Sequence, residues 1–222
     1  MLFRSAVSLA VTVVVPAGPA DAAVIRLFTK VFSQQTNGSI QITGNTLMTC
    51  GTATNCAQTQ DGSMSGSNNN FVMGFLDADA DPSTTRSSAA DLTIPSGARV
   101  LYAGLFWGAA TTAGTNGAAA SGAVDTIRFR TPGASGYTTL AASRVDYQTS
   151  TATMDYSSYR DVTSLVQSAG TGTYWGADVA AATGADRYAG WSLVVAVADP
   201  APRCATSPCS PATRPSIGRA HV

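Results

Sequence analysis

Three aspartates alternate with alanines in the run Asp77-Ala78-Asp79-Ala80-Asp81. Alternate residues of an extended chain point the same way, so these carboxylates repel one another unless a cation or hydrogen-bond donors lie between them. Calcium takes several oxygen ligands, and weak calcium sites suit extracellular proteins. The EF-hand pattern fails, because Pro82 takes its glycine position. Two interpretations remain open: a calcium site formed by Asp77, Asp79 and Asp81, and a solvated acidic loop whose side chains cap turns.

Aromatic residues supply a second kind of candidate site. Tyr174 and Trp175 stand before Gly176, and their rings could stack on a sugar, as could those of Tyr156 and Tyr159. Buried packing is the alternative role for any large ring. The sequence therefore leaves open whether these aromatics form a glycan-stacking surface or part of a core.

The residue inventory excludes most hydrolase sites. The chain has 13 acidic residues, all Asp, and its lone His221 lies one residue from the C-terminus. A Ser or Thr nucleophile would lack a histidine base. A glycosidase built from two Asp residues is the remaining enzyme class, and no pair of aspartates stands out in the sequence. We expect a protein without enzymatic activity. Because the net charge is zero and no basic stripe is visible, we also expect no nucleic-acid partner.

The N-terminus reads as a signal peptide. Arg4 precedes an apolar stretch over residues 6–15, and Ala20-Asp21-Ala22 fits the small-x-small cleavage rule. The apolar stretch is too short to span a bilayer, which takes about 20 residues. We predict that residues 1–22 are removed, that the mature chain has no transmembrane segment, and that the protein is secreted.

Export permits disulfides, and two cysteines are well placed for one. Cys50 and Cys56 enclose the polar loop Gly51-Thr52-Ala53-Thr54-Asn55. Zinc sites usually place two to four residues between cysteines, and no further Cys or His lies near this pair. We predict a local disulfide between Cys50 and Cys56.

The elements that position these residues are predicted to be strands. Only 12% of the residues are charged, against about 25% in ordinary domains, and Glu and Lys, both good helix formers, are nearly absent. Short alternating runs are separated by turn residues, and residues 99–107 and 191–197 read as central strands that bury Trp107 and Trp191. Residues 161–169 predict one short helix. These patterns predict one antiparallel β-sandwich, jelly-roll-like, over residues 23–200.

Several landmarks occur together in a familiar order: Gly38-Ser39-Ile40 to Gly44-Asn45-Thr46-Leu47, the Asp77–Asp81 run, Ser87-Ser88-Ala89, residues 92–98, residues 103–108, Asp161-Val162-Thr163 and residues 190–195. The set resembles the N-terminal domain of large exported surface proteins of actinobacteria, a domain of unknown function that precedes repeated Ig-like surface domains. The resemblance covers residues 31–200. It implies a β-rich extracellular module with a structural or adhesive role and no transferable catalytic residues.

The C-terminal tail departs from this pattern. Residues 201–222 contain four prolines and few large aliphatic residues, so we expect them to be disordered. We interpret the tail as the product of a reading frame that slipped near residue 200. On this interpretation a strand is missing beside residues 191–198 and leaves an exposed sheet edge.

Two classes of function follow. The first is a non-enzymatic exported cell-surface module, adhesive or structural, whose partner is a cell wall or glycan surface. The second is a carbohydrate-binding module of jelly-roll type, for which Tyr174 and Trp175 supply the stacking faces.

Overall fold

The computed structural model describes residues 26–148 and 154–200, and within these ranges the chain is built mainly from short strands. The strands are β1 (Gly38–Thr46), β2 (Met48–Thr49), β3 (Val72–Phe75), β4 (Ser87–Leu92), β5 (Arg99–Ala110), β6 (Thr126–Arg130), β7 (Thr138–Ala141), β8 (Arg144–Gln148), β9 (Asp155–Asp161), β10 (Gly172–Ala177), β11 (Gly184–Ala185) and β12 (Ala189–Ala198). The helices are α1 (Cys56–Gln60), α2 (Thr163–Ala169) and a short 3₁₀ helix at Asn68–Asn70.

Two antiparallel sheets form the body of the domain. The first has the strand order β1-β12-β5-β9-β8, and the second has the order β4-β10-β6-β7. A third, small sheet joins β11, β3 and β2. The larger sheets enclose a single main core, so the predicted β-sandwich is confirmed.

The strand order is that of a jelly roll. If the hairpin strand β8 and the small sheet are set aside, the chain runs through the two main sheets alternately: β1 first, β4 second, β5 first, β6 and β7 second, β9 first, β10 second and β12 first. This alternation places the last strand between the first and third strands, as in two interlocked Greek keys.

The core forms on alternate residues of the two longest strands, as the sequence predicts. Trp107 of β5 and Trp191 of β12 lie opposite each other and are 2% and 4% exposed. Their indole N–H groups are satisfied: Trp107 donates to the Val124 carbonyl (3.1 Å) and Trp191 to the Ser88 hydroxyl (3.0 Å). Each tryptophan therefore fixes one sheet against another part of the chain.

The expected missing strand beside residues 191–198 is wrong. Strand β12 pairs with β1 along one side and with β5 along the other, so it lies inside the sheet. Among the described residues this sheet has two edge strands, β8 and, near the start of the domain, β1. The signal peptide (residues 1–22) and the tail (residues 201–222) lie outside the described residues, and both interpretations stay predictions.

Local features near the helices agree with sequence signals. Helix α2 confirms the helix expected over residues 161–169, and the Thr163 amide donates to the Asp161 carboxylate (2.9 Å) just before it. Cys50 and Cys56 form the predicted disulfide, and the second cysteine begins α1.

Candidate functional site

The acidic run lies in the loop between β3 and β4, where it surrounds the hydroxyl of a buried serine. Asp77 and Asp79 each place a carboxylate oxygen within 2.9–3.0 Å of the Ser87 hydroxyl, and the amides of Ala78 and Asp79 donate to it at 3.0 and 3.1 Å. Ser87 is fully buried. These bonds fold the loop back on the first residue of β4.

The positive charge among these carboxylates comes from an arginine on β6. A terminal nitrogen of Arg130 lies 3.2 Å from Asp79 Oδ2, and its other terminal nitrogen lies 3.8 Å from Asp81 Oδ2. Asp79 also accepts hydrogen bonds from the Tyr137 hydroxyl (2.7 Å) and the Thr84 hydroxyl (3.3 Å). Its side chain is only 9% exposed, so this carboxylate is buried with its bonds satisfied.

Titration at the cluster follows from these bonds. The pKa of Asp81 is lowered because Ser83 donates hydrogen bonds to its carboxylate, with the charge of Arg130 as a smaller cause. Burial, followed by the hydrogen bond to Asp79, raises the pKa of Tyr137. Both shifts favour the present charges, in which the aspartate is ionised and the phenol keeps its proton.

The contacts of the three aspartates favour the turn-capping interpretation over the calcium site. Within residues 26–148 and 154–200, no group of three or more His, Cys, Asp or Glu side chains is arranged to hold a metal ion. The Ser87 hydroxyl lies between Asp77 and Asp79, and the Arg130 guanidinium pairs with Asp79 and Asp81. The calcium site therefore stays a prediction, and the turn-capping alternative agrees better with these contacts, since Asp81 accepts a bond from the Ser83 amide (2.9 Å).

The two consecutive aromatics of β10, Tyr174 and Trp175, lie on opposite faces of the second sheet. Tyr174 is fully buried, packs on Phe129 at 5.8 Å between ring centroids, and donates to the Gly170 carbonyl (2.7 Å). It cannot stack on a ligand, so its predicted role is wrong. Tyr156 and Tyr159 are also buried. Trp175 is half-buried on the outer face of the second sheet, because adjacent residues of a strand face opposite sides.

On that outer face, three side chains form a stack. The Arg130 guanidinium lies 4.6 Å from the Trp175 ring centroid and 4.7 Å from that of Tyr137. Arg130 and Trp175 are paired residues of adjacent strands, which holds the guanidinium over the indole. A cation that lies on two rings and also pairs with Asp79 is fixed in position rather than mobile.

A cleft opens beside this stack, with a volume of about 350 Å³. One wall is the turn Thr131–Ala134, in which the Ala134 amide donates to the Thr131 carbonyl (3.1 Å) and Gly133 takes the positive φ of a type II turn. The other wall is Thr173 and Trp175. The Thr173 hydroxyl donates to the exposed Asp91 (2.6 Å), so a hydroxyl–carboxylate pair lies on the same strand face.

Sequence reasoning missed Arg130 and Tyr137, although a signal was present. In Thr126–Arg130, Arg128 and Arg130 alternate with Ile127 and Phe129, and this predicts two arginines on the outer face of one strand. What the alternation does not reveal is which strands lie beside β6.

No model of a known protein family matches this chain, and no curated protein or solved structure is significantly similar to it. The resemblance to actinobacterial surface proteins accordingly stays a prediction. Among the described residues, no helix is long and apolar enough to cross a membrane.

Proposed function

We propose that this protein is an exported, non-enzymatic surface module that adheres through the cleft beside Trp175. The signal-peptide pattern and the Cys50–Cys56 disulfide support export. The cleft is built on strands and on a hydrogen-bonded turn, and a binding site on such a scaffold needs little ordering when a ligand arrives.

Carbohydrate is the ligand class that suits this cleft best. The single observation that carries the proposal is a half-buried indole next to fixed polar groups: Trp175 beside the Arg130 guanidinium and the Thr173–Asp91 pair. A sugar ring presents an apolar C–H face and a rim of hydroxyls. The indole would contact the face, while the guanidinium, hydroxyl and carboxylate would exchange hydrogen bonds with the rim.

The same residues do not favour catalysis. Asp77 and Asp79 form a close carboxylate pair, which a glycosidase requires, but both are directed at the buried Ser87. Asp79 is in addition paired with Arg130 and Tyr137, so it is not poised to give or take a substrate proton. We therefore propose binding without bond cleavage.

The test is a glycan array probed with the secreted protein, followed by binding to isolated cell-wall polysaccharide. We expect defined binding that falls at least about tenfold in Trp175→Ala, which loses one stacked ring. Thr173→Val, which removes only a hydroxyl from the cleft, should also weaken binding.

The matched control is Tyr188→Ala, which removes an exposed aromatic from a position away from this cleft and should leave binding unchanged. Absence of glycan binding in the parent protein would remove carbohydrate as the ligand. Equal loss in Trp175→Ala and Tyr188→Ala would remove the cleft as the site.

A further inference from the structure

Strand β1 lies at one edge of the five-stranded sheet, and within residues 26–148 and 154–200 no strand lies beside the outer side of its backbone. The Asp199 amide donates to the Asn37 carbonyl (3.0 Å), and the Leu47 amide donates to the Ala189 carbonyl (2.9 Å). In an antiparallel pair, residues alternate between bonding the partner and facing away. The odd-numbered residues from 39 to 47 therefore bond β12, and the N–H and C=O groups of Ile40 and Ile42 point to the open edge.

This edge lacks the usual protection against pairing. Natural edge strands carry charges, prolines or bulges, yet β1 has neither a charged residue nor a proline. Ile42 is 71% exposed and Ile40 is 41% exposed, both on the outer face of the sheet. An uncharged strand of nine residues with two exposed isoleucines is suited to receive another strand.

The sequence of β1 is nearly symmetric about Gln41. Read outwards from it, Ile40 matches Ile42, Ser39 matches Thr43, and Gly38 matches Gly44. An antiparallel pair of identical strands related by a twofold axis at Gln41 would place these matched residues opposite each other. The residues that face the open edge, Ile40 and Ile42, would then form the hydrogen-bonded pairs.

We propose that β1 is a homodimer interface, in which two copies of this chain pair antiparallel about Gln41 and join their five-stranded sheets. The four isoleucines from Ile40 and Ile42 would cluster on the outer face. Ser39 would lie opposite Thr43 of the second copy on the other face, and both pairs are of a kind that stabilises sheets. The C-terminal end of β1 lies outside this pairing. There the Asn45 side chain donates to the Ala89 carbonyl of its own chain (2.8 Å).

A second copy is the favoured occupant for two reasons on the strand itself. The near-palindrome makes β1 complementary to itself in one register, and the absence of charge means that two copies meet without repulsion. A foreign strand would require neither feature.

Charge placement at Gln41 tests the register. Sedimentation equilibrium of the secreted full-length chain should show a dimer, and Gln41→Lys should raise the dimer Kd about tenfold or more, because the two lysines meet at the twofold axis. Gln41→Glu should do the same. An equimolar mixture of the two variants should recover the dimer as a heterodimer, since Lys then faces Glu.

Two further variants complete the design. Gln58→Lys, at an exposed position away from β1, should dimerise like the parent. Ile42→Pro removes an N–H that points to the open edge, so it should spare the pairing with β12 and still abolish the dimer. A parent that stays monomeric at roughly 100 micromolar, where a dimer with a Kd of about 10 micromolar would be mostly associated, overturns the proposal and leaves the edge to another polypeptide. A dimer that survives Ile42→Pro, or variants of Gln41 that do not recover on mixing, overturns it equally.

Discussion

Arg130 and Asp79 are joined by an ion pair of 3.2 Å that fastens the acidic loop to the outer face of the second sheet. The pair is partly buried, with exposed side-chain fractions of 19% for Arg130 and 9% for Asp79. Removal of one partner leaves a charge in a setting where water can solvate it only in part. The loop and the candidate binding face thus depend on the same guanidinium, because Arg130 also lies over Trp175.

Arg130→Met should lower the free energy of unfolding by about 2 kcal/mol, because the partly buried Asp79 carboxylate loses its cationic partner. Urea denaturation measures this loss. In the double variant with Asp79→Asn, the loss should be clearly smaller than the sum of the two single losses, because the unpaired carboxylate is also removed. Strict additivity would mean that the pair carries no coupling.

Calcium addition separates the two interpretations of the acidic run, and the turn-capping interpretation predicts that millimolar calcium leaves the melting temperature unchanged. A ligand that binds the native state raises the melting temperature by mass action, but the oxygens of Asp77 and Asp79 already accept hydrogen bonds from Ser87, Thr84 and Tyr137. Scanning fluorimetry with calcium and with EDTA checks this. A calcium-dependent rise that Asp79→Asn abolishes would restore the calcium site.

The two main strands could be predicted because residues 99–107 and 191–197 are short, nearly continuous apolar runs, which are typical of strands buried on both faces. Strands β5 and β12 bury their alternate residues around Trp107 and Trp191, as expected. Strand β9 lacks such an apolar run, because Ser158 is buried at a core position, where its hydroxyl donates to the Val124 carbonyl (2.8 Å). A buried polar residue whose hydrogen-bond partner is distant in the sequence leaves no local pattern from which its burial could be predicted.

The candidate site was only half predictable for a related reason. Strand alternation alone places Trp175 and Tyr174 on opposite faces of the sheet, so two consecutive aromatics of one strand cannot belong to the same surface. The pairing of Asp79 with Arg130 is different in kind. It depends on β6 lying beside β10 and on the loop folding over both, and this register is a property of the whole sheet.

Alkaline pH should unfold the protein through its tyrosines. Burial raises the pKa of Tyr174 to about 12 and also raises the pKa of Tyr102, for which the hydrogen bond to Tyr159 is a second cause. A raised pKa means that the folded state holds the proton more tightly. This stability is therefore complete below the unfolded pKa, near 10, and is lost as the pH rises through the folded value.

Urea midpoints measured from pH 8 to pH 12 test this expectation and should fall above about pH 10. Tyr174→Phe is the matched variant: it should lose about 1 kcal/mol at neutral pH with its bond to Gly170, and should show a shallower alkaline decline. A decline that is the same in both proteins would show that Tyr174 does not contribute to it.

Loss of the disulfide should cost about 2 kcal/mol, the value expected for a short closed loop. The double variant Cys50→Ser/Cys56→Ser removes the bridge, and urea denaturation compares it with the parent. Peptide mapping after alkylation without reductant should find both cysteines unlabelled in the parent. Reductant should destabilise the parent and leave the double variant unchanged; an equal response of both would place the effect elsewhere.

Gly176→Ala should destabilise the sandwich, because the backbone of β10 lies directly on the Trp191 ring. A methyl group on Gly176 would come within 2.4 Å of a carbon of that indole, and Trp191 cannot move away freely, since its N–H donates to Ser88 at 3.0 Å. Overpacking of this kind costs about 1–3 kcal/mol. The matched control is Gly136→Ala, where a methyl group would meet nothing within 4 Å.

Thermal unfolding should show a lower melting temperature for Gly176→Ala alone. The Trp fluorescence of the folded Gly176→Ala protein should also shift, because the indole of Trp191 is displaced. A stable Gly176→Ala protein with unchanged fluorescence would mean that the two sheets can separate at this point without cost.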